Sequence, residues 1–338
     1  MTSPNISVII PMYNSERYIK EAIYSIFDQT YQNFEIIIID DCSTDSSVEI
    51  VKNINDNRIT LIRNREKNLG SAYCRNLGID LSKGKYIALM DSDDVSNKKR
   101  LQTQFAFLEE NKKYGLCSCW YKNFGNSKRV HKYPSNSEEI KLFFLFETLF
   151  CQGSAFLRKS VFKDGEIKYN THFRRSQDYE FWNRLKAYTE FYNIPKVLYY
   201  RRVHKRQTTH TRNSYYSDKV RKKNMKQIIK DLSIETSRID PNSNKQLFGF
   251  KELEKWDFTQ LENWIELLIN QNKKTNYYEN DVFAKVLLNR FWRICKSYGM
   301  FGAQIFFKSR LKKYGFVPLE TKFKSFLYSL LPIKKSKF

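Results

Sequence analysis

Short apolar segments alternate with helix-like segments through the first hundred residues. Four segments are almost continuously apolar, as expected of buried strands: residues 6–10, 34–40, 58–62 and 86–90. Between them, apolar residues recur at helical spacing, as at Ile19, Ile23 and Ile26. Strands buried on both faces and joined by helices are typical of parallel sheets. The sequence therefore predicts an α/β fold with a mostly parallel sheet flanked by helices on both faces.

Acidic residues follow two of these strands. The fourth apolar run ends in Asp91, Asp93 and Asp94, and the second ends in Asp40 and Asp41. The carboxyl ends of parallel strands meet at one edge of the sheet, where open α/β folds bind ligands. Carboxylates this close raise each other's pKa unless a cation neutralises them, and a divalent ion that also contacts substrate phosphates would do so.

A structural interpretation of this acidic segment is also available. Asp91 could cap the following helix while Asp93 and Asp94 complement the helix dipole. That explanation suits one carboxylate better than three behind a single apolar strand. We therefore expect a metal-binding cleft.

The segment after the first strand supplies further candidates. Pro11 is expected to end that strand at residue 10 and to open a loop that carries Tyr13 and Glu16. No glycine-rich phosphate loop follows, so side chains and metal would have to hold a nucleotide. Pro11, Tyr13 and Glu16 are the nucleotide-binding candidates of this loop, and Asp41 could accept a hydrogen bond from a base edge. Alternatively, Tyr13 packs in a turn and Asp41 caps a helix.

Charge and length limit the possible partners and compartments. The 338 residues could hold two domains, and the net charge of +23 predicts a polyanionic partner: nucleic acid, anionic lipid or a phosphorylated substrate. The most apolar stretch, residues 142–151, contains Glu147 and is shorter than the roughly 18 residues that a membrane span needs. The chain opens on a strand rather than a signal peptide, and its six cysteines lack metal-ligand spacing. A cytoplasmic protein with reduced thiols is expected.

Four motifs together resemble glycosyltransferase family 2. They are SVIIPMYN at residues 7–14, EIIIIDDCSTD at 35–45, NLGSAYCRNLGI at 68–79 and YIALMDSDD at 86–94. The resemblance extends over roughly residues 5–210. It implies a GT-A-type fold and an inverting transfer of sugar from a nucleoside diphosphate, usually UDP, that uses Mn²⁺ or Mg²⁺. The family usually has glycine where this chain has Cys42.

The resemblance also assigns roles to residues of these motifs. Asp41 would contact the uracil and Asp91 the ribose. Asp93, the second acid of an Asp-x-Asp motif, would hold the metal.

A catalytic base is expected in the second half of this region. Ser176 is a candidate N-cap for a helix whose first turn contains Asp178, where the helix dipole favours the ionised carboxylate that a base needs. The resemblance aligns Asp178 with the family's base, with Gln177 in place of the commoner glutamate. Glu180 is the alternative base. Without the family motifs, Asp178 would be explained as an acid that stabilises the helix dipole.

A basic segment at residues 201–206 follows the last predicted strand of this region. Some members of the family have Arg-x-His here, which Arg202 and His204 match. The resemblance implies that His204 completes the metal site and that Arg202 screens the diphosphate. Imidazole is a good metal ligand and guanidinium matches phosphate oxygens. A histidine beside basic residues is otherwise most often a solvated surface group.

The predicted domains are a catalytic domain at residues 1–211 and a helical, basic extension at 212–338. Within the first, residues 5–100 would bind the nucleotide sugar and 101–211 the acceptor. In the second, residues 219–230 are densely basic, and residues 283–298, 301–314 and 323–331 mix aromatic with basic residues before Lys334 and Lys335. Basic amphipathic helices predict peripheral association with the anionic inner face of the cell membrane. An ordinary solvated helical extension is the alternative.

The predicted activity is inverting transfer of a hexose or N-acetylhexosamine from a UDP-sugar to a hydroxyl of a glycan or glycolipid. The implied process is synthesis of a bacterial surface polysaccharide such as lipopolysaccharide core, lipooligosaccharide or capsule. Transfer to a polyprenyl phosphate is one alternative, and nucleotidyl transfer with release of pyrophosphate is another. A non-enzymatic nucleic-acid binder would also suit the charge, but the sequence has no zinc-ligand spacing or recognisable RNA-binding motif, so no nucleic-acid partner is expected.

Overall fold

The computed structural model describes residues 3–165, 167–204, 215–250 and 257–315. The chain divides into two compact units, Met1–Ser217 and Asp218–Phe338. The first contains a mixed sheet with helices on both faces, and the second is helical in its described residues.

One sheet runs through the first unit. Its described strands are β1 (Ile6–Met12), β2 (Phe34–Asp41), β3 (Ile59–Asn64), β4 (Tyr86–Leu89), β5 (Val95–Ser96), β6 (Tyr114–Gly125), β7 (Val130–His131), β8 (Phe156–Arg158) and β9 (Glu190–Val203). Their order is β3-β2-β1-β4-β8-β6-β9-β5, with β7 paired to β6. The neighbours β3, β2, β1 and β4 are parallel, as predicted, and so are β6 and β9. Strand β8 is antiparallel to both β4 and β6, and β5 is antiparallel to β9.

Helices cover both faces of this sheet. They are α1 (Ile19–Phe27), α2 (Ser47–Lys52), α3 (Ser71–Leu81), α4 (Arg100–Glu110), α5 (Ser137–Phe143) and α6 (Gln177–Leu185). Val8 and Ile10 of β1 pack with α1 and α2 on one face, while Ile9 packs with α3 and α6 on the other. This alternation is the consequence of the two-residue period of a strand. The predicted α/β architecture is confirmed.

The expectation that Pro11 ends the first strand was wrong. Strand β1 continues to Met12, and Pro11 is in register with Ile39 of β2. The Ile9 carbonyl accepts a hydrogen bond from Met90 N–H, so the backbone groups of Ile9 and Pro11, two residues apart, point to the β4 side. The β1–β4 pairing ends at Ile9 and Leu89, so no ladder bond requires an N–H from Pro11.

Five helices form the described part of the second unit, with α7 starting at the end of the first. They are α7 (Tyr215–Asp231), α8 (Pro241–Phe248), α9 (Phe258–Thr275), α10 (Asn280–Ser297) and α11 (Gly299–Lys308). The predicted helical character of this region is confirmed. The predicted basic and aromatic segment at 323–331, together with Lys334 and Lys335, lies outside the described residues. Of the helices that the structure describes, none combines the length and apolar character needed to cross a bilayer.

Candidate active site

The loops that follow β1, β2 and β4 meet at one edge of the sheet, as predicted. Asn14 N–H donates to Ser43 Oγ at 2.9 Å, which joins the first loop to the second. Ser15 Oγ lies 2.7 Å from Ser92 Oγ, which joins the first loop to the acidic segment after β4. These hydrogen bonds join the three loops at the candidate site.

The three nucleotide-binding candidates of the first loop differ in environment. Pro11 belongs to β1. The Glu16 backbone N–H donates to Asp45 Oδ2 at 3.0 Å, and the Glu16 carboxylate accepts from Ser46 N–H at 3.2 Å. Tyr13 is 51% exposed, so its ring presents a face that a base could cover. Of these candidates, Glu16 contributes to loop structure and Tyr13 is open to a ligand.

Asp41 ends β2 and holds the segment that leads into α3. Its Oδ1 accepts from Leu69 N–H at 2.8 Å and from Asn64 Nδ2 at 3.1 Å, and its Oδ2 accepts from Gly70 N–H at 2.6 Å. Gly70 has a φ of 90°, a conformation that favours glycine. The carboxylate is 3% exposed and is bonded to the protein at both oxygens.

The acidic segment is closely packed. Asp94 is 2% exposed, and its Oδ1 accepts from Arg202 N–H at 2.8 Å. Burial and the neighbouring carboxylates of Asp93 and Asp91 raise the pKa of Asp94 well above its ordinary value. This is the mutual effect expected from the sequence, and a cation at this position would relieve it.

Tyr199 of β9 supports the acidic segment from within the protein. Its hydroxyl accepts from Asp91 N–H at 3.3 Å. Gly153 makes room for this contact, since a Cβ there would come within 1.9 Å of the Tyr199 hydroxyl oxygen. A side chain at residue 153 would therefore displace the tyrosine or the acidic segment.

Asp93 and His204, the predicted metal ligands, are brought together. His204 Nε2 lies 2.9 Å from Asp93 Oδ2. This separation is that of a hydrogen bond. It also matches the roughly 3 Å between two ligand atoms that lie about 2.1 Å from an ion at right angles to each other, so the pair could occupy adjacent positions around Mg²⁺ or Mn²⁺. Among the described residues, no group of three or more His, Cys, Asp or Glu side chains could hold a metal. An ion here would complete its coordination with water and substrate oxygens, as Mg²⁺ commonly does.

Arg202 contacts the backbone of the acidic segment and a carboxylate of α1. Its Nε donates to the Asp93 carbonyl at 2.8 Å, and its Nη2 donates to the Glu21 carboxylate. The guanidinium is 4.8 Å from the ring of Tyr18 and 4.3 Å from that of Phe124. Arg202 thus fixes the backbone of a candidate metal ligand, and its expected role at the diphosphate stays a prediction.

Asp178, the predicted base, is the second residue of α6. Ser176 occupies the N-cap position of α6, as expected, but it has a φ of 52° and its side chain makes no capping hydrogen bond. Asp178 Oδ1 itself accepts from Tyr179 N–H at 2.8 Å, which satisfies one of the unpaired amides of the first turn. Burial and the nearby Asp91 raise the pKa of Asp178, while the Tyr179 N–H and the Arg75 guanidinium oppose that rise.

The residues beside Asp178 have other partners. Gln177, which stands where the family more often has glutamate, donates from Nε2 to Ser71 Oγ at 2.6 Å. Glu180, the alternative base, accepts from Arg184 at both oxygens, at 2.7 and 2.9 Å. A carboxylate engaged at two points by arginine is a poor proton acceptor. The geometry therefore favours Asp178 over Glu180.

Comparison with known proteins identifies the family. The family described as glycosyl transferase family 2 matches residues 7–165. An uncharacterized glycosyltransferase of Methanocaldococcus jannaschii is 34% identical over 250 residues, which cover 69% of this chain and 84% of that protein. The chain belongs to glycosyltransferase family 2. The putative teichuronic acid biosynthesis glycosyltransferase TuaG of Bacillus subtilis is 39% identical over 109 residues, covering 32% of this chain and 43% of TuaG.

Solved structures agree with a GT-A-type fold for this family 2 glycosyltransferase. S. aureus TarS (residues 1–349) superposes with a TM-score of 0.55 at 19% identity, covering 92% of this chain and 88% of TarS. TarS has also been solved with UDP and with UDP-GlcNAc. The mannosyltransferase PcManGT of Pyrobaculum calidifontis, in complex with GDP-Man and Mn²⁺, gives a TM-score of 0.50 at 14% identity, with coverage of 93% and 85%.

Two arginines of this family 2 enzyme were not foreseen as site residues. Arg75 on α3 is 4% exposed, and its Nη2 donates to Asp91 Oδ1 at 2.9 Å. Its Nε and Nη1 are buried without a hydrogen-bond partner among the described residues. A signal was available in the sequence: Arg75 is the one charged residue on the side of α3 that buries Cys74, Gly78 and Ile79.

Arg201 precedes Arg202 on β9 and is on the other side of the strand. Burial alone would lower the pKa of Arg201, but Cys151, Tyr121, Asp94 and Asp91 together raise it. The positive charge near the acidic segment thus includes Arg201 as well as Arg202, whose guanidinium also contacts Glu21 of α1. Strand alternation in the sequence could have separated the two arginines.

Proposed function

We propose that this protein is a metal-dependent, inverting glycosyltransferase that moves a hexose or N-acetylhexosamine from a UDP-sugar to a hydroxyl of a bacterial surface polysaccharide or its glycolipid precursor. Membership of family 2 supports sugar transfer. The TarS complexes with UDP and UDP-GlcNAc support a UDP-sugar as the donor. The description of TuaG as a putative teichuronic acid biosynthesis glycosyltransferase supports a cell-surface polymer as the product.

The observation that carries this proposal is that Arg75 interacts with both Asp178 and the acidic segment. Arg75 is bonded to Asp91 at 2.9 Å and also acts electrostatically on Asp178. Asp93, the candidate metal ligand, is two residues from Asp91. The proposed proton acceptor and the proposed diphosphate-binding segment therefore interact with the same buried guanidinium.

In the proposed reaction, Asp178 accepts the proton of the acceptor hydroxyl as that oxygen attacks the anomeric carbon from the face opposite the diphosphate. The bond to the UDP oxygen breaks in the same step, so an α-configured donor gives a β-linkage. A divalent ion held by Asp93 and His204 would stabilise the negative charge that develops on UDP. Asp41 and Tyr13 would hold the uracil, and Asp91 would face the ribose.

Two substitutions test the catalytic assignment. Asp178→Asn should reduce transfer at least about 100-fold while UDP binding, measured by calorimetry, is retained. Glu180→Gln on the same helix is the matched control and should retain most of the activity. Near-normal turnover by Asp178→Asn would refute the role of Asp178.

The metal site is tested separately. Asp93→Ala should lose the Mn²⁺-dependent part of UDP binding, and UDP-glucose, UDP-galactose and their N-acetylated forms should be screened for Mn²⁺-dependent release of UDP. Release of pyrophosphate instead of UDP would indicate nucleotidyl transfer. Absence of any nucleotide binding by the folded protein in Mn²⁺ or Mg²⁺ would overturn the whole proposal.

A further inference from the structure

Helix α7 carries a row of lysines on one face. Lys222, Lys223, Lys226 and Lys230, here called the lysine face, are all exposed. At 3.6 residues per turn, these four positions lie within an arc of about 100° and extend for about 12 Å along the helix. Their ammonium groups can therefore meet one surface together.

The orientation of this face is fixed by the opposite side of the helix. Val220, Asn224 and Ile228 recur every four residues and are buried. Rotation of α7 would expose these side chains, so the lysine face is held outward. The packing of the helix determines where its charge is presented.

The charge of the lysine face is not neutralised within the protein. Among the described residues, none of the four ammonium groups forms a side-chain hydrogen bond or an ion pair, whereas the neighbouring Arg221 pairs with Asp218 at 3.0 Å. Lysines three or four residues apart on a helix repel each other. An arrangement that costs stability and has no internal partner indicates an external anion.

Basic side chains continue beyond the end of α7. Gln271 of α9 donates to the Leu232 carbonyl at 3.1 Å and also lines a cavity of about 660 Å³. The same cavity is lined by four basic residues, Arg238, Lys273, Lys274 and Arg310, and by one acidic residue, Glu266. Glu266 already pairs with Arg310 and Lys313. Further basic side chains thus lie where α9 meets the end of α7.

We propose that the lysine face binds the surface of a membrane that contains anionic phospholipids. A planar array of headgroup charges can contact all four lysines at once, and mobile lipids can gather beneath them. Lysine is a compact, flexible point charge that suits such a diffuse field, whereas site-specific phosphate recognition favours the fork of arginine. The inference does not depend on the proposed reaction.

Vesicle flotation of the full-length chain tests this inference. The wild-type protein should bind phosphatidylcholine vesicles that contain phosphatidylglycerol at low salt, should not bind pure phosphatidylcholine, and should be released as salt rises. Substitution of Lys222→Gln, Lys223→Gln, Lys226→Gln and Lys230→Gln should weaken the partition coefficient by roughly fivefold per lysine. Glutamine maintains helix propensity, and circular dichroism would confirm that α7 is retained.

A charge-matched variant separates the lysine face from net charge. Lys20→Gln, Lys83→Gln, Lys122→Gln and Lys196→Gln remove the same charge from scattered exposed positions of the first unit and should bind like the wild type. Equal loss in both variants, or no loss in either, would overturn the proposal. Binding to a random-sequence DNA duplex is measured as a third comparison. If the lysine substitutions weaken DNA binding as strongly as vesicle binding, lipid is not the specific partner and the proposal is overturned.

Discussion

Arg75 and Asp91 form an ion pair whose two partners differ in exposure. The distance from Arg75 Nη2 to Asp91 Oδ1 is 2.9 Å, and the side chains are 5% and 30% exposed, respectively. Water can solvate Asp91 in the absence of its partner but can hardly reach Arg75. Removal of Arg75 and removal of Asp91 should therefore lower the free energy of unfolding by different amounts.

Substitution of either partner should show this asymmetry. Asp91→Ala leaves a buried guanidinium without its bonded carboxylate and should lower the free energy of unfolding by about 3 kcal/mol. Arg75→Gln leaves a carboxylate that water can solvate and should cost less, about 1–2 kcal/mol. Urea denaturation measures both. Glu49→Ala, which removes an exposed pair with Lys52, is the control and should cost under about 1 kcal/mol; equal losses for Asp91→Ala and Arg75→Gln would contradict this account.

The same arginine should set the pH dependence of transfer. Burial and Asp91 raise the pKa of Asp178, and Arg75 opposes that rise. A base acts in its ionised form, so the rate should fall as pH decreases through this pKa. Arg75→Gln removes a charge that favours ionisation, and the acid limb of the kcat/KM profile should move to higher pH. Arg184→Gln, which disrupts the pair with Glu180 on the same helix, is the control and should leave the acid limb of the profile unchanged. An unchanged acid limb in Arg75→Gln would refute the electrostatic coupling between Arg75 and Asp178.

The loop contacts made by Asp45 should contribute stability that depends on pH. Its Oδ2 accepts from Glu16 N–H and its Oδ1 from Ser47 N–H and Ser47 Oγ. Partial burial alone would raise the pKa of Asp45, but these hydrogen bonds lower it. The stabilisation should therefore be complete above the unfolded pKa of about 4 and be lost as pH falls through the lower folded pKa.

Asp45→Ala should cost about 1–3 kcal/mol at neutral pH. The difference in melting temperature from the wild type should shrink progressively as the solution is acidified below pH ~4. A difference that stays constant across this range would mean that the ionised carboxylate is not what joins the two loops.

Cys42 should be strained where glycine would not be. Its φ is 65°, in the left-handed region, which costs a residue with a Cβ about 1–2 kcal/mol. Its thiol also donates to the Asn64 carbonyl at 3.2 Å. Cys42→Gly and Cys42→Ala both lose this contact, but only glycine relieves the backbone, so Cys42→Gly should be more stable than Cys42→Ala by about 1 kcal/mol in thermal unfolding. The reverse order would exclude backbone strain at this residue.

The local pattern of apolar and polar residues was enough to predict the first half of the fold. The strands β1, β2 and β4 are buried on both faces, and the sequence order of β1 to β4 with intervening helices leaves few alternatives to parallel pairing. Acidic residues at the ends of β2 and β4 then had to meet at one edge. The antiparallel insertion of β8 between β4 and β6 was not predictable in this way, because it depends on pairing between residues far apart in sequence.

The positions of the arginines needed the three-dimensional structure. The ladder between β6 and β9 has irregularities between Cys119 and Trp120 and between Trp120 and Tyr121. Such irregularities interrupt the alternation of sides along the ladder. Alternation shows that Arg201 and Arg202 face opposite sides, but counting along the sequence could not decide which of them faces the acidic segment. Arg75 and Asp91 are on different elements, and only the packing of α3 against the sheet brings them together.

The hydrogen bonds that connect Asn14 to Ser43 and Ser15 to Ser92 have a consequence for affinity. The conformational entropy of these segments is lost when the chain folds, before any ligand arrives. A molecule that docks on them gains the free energy of its contacts with little further ordering to offset it. Selectivity at this end of the cleft would therefore come from the fit of the ligand to a rigid surface rather than from closure around it.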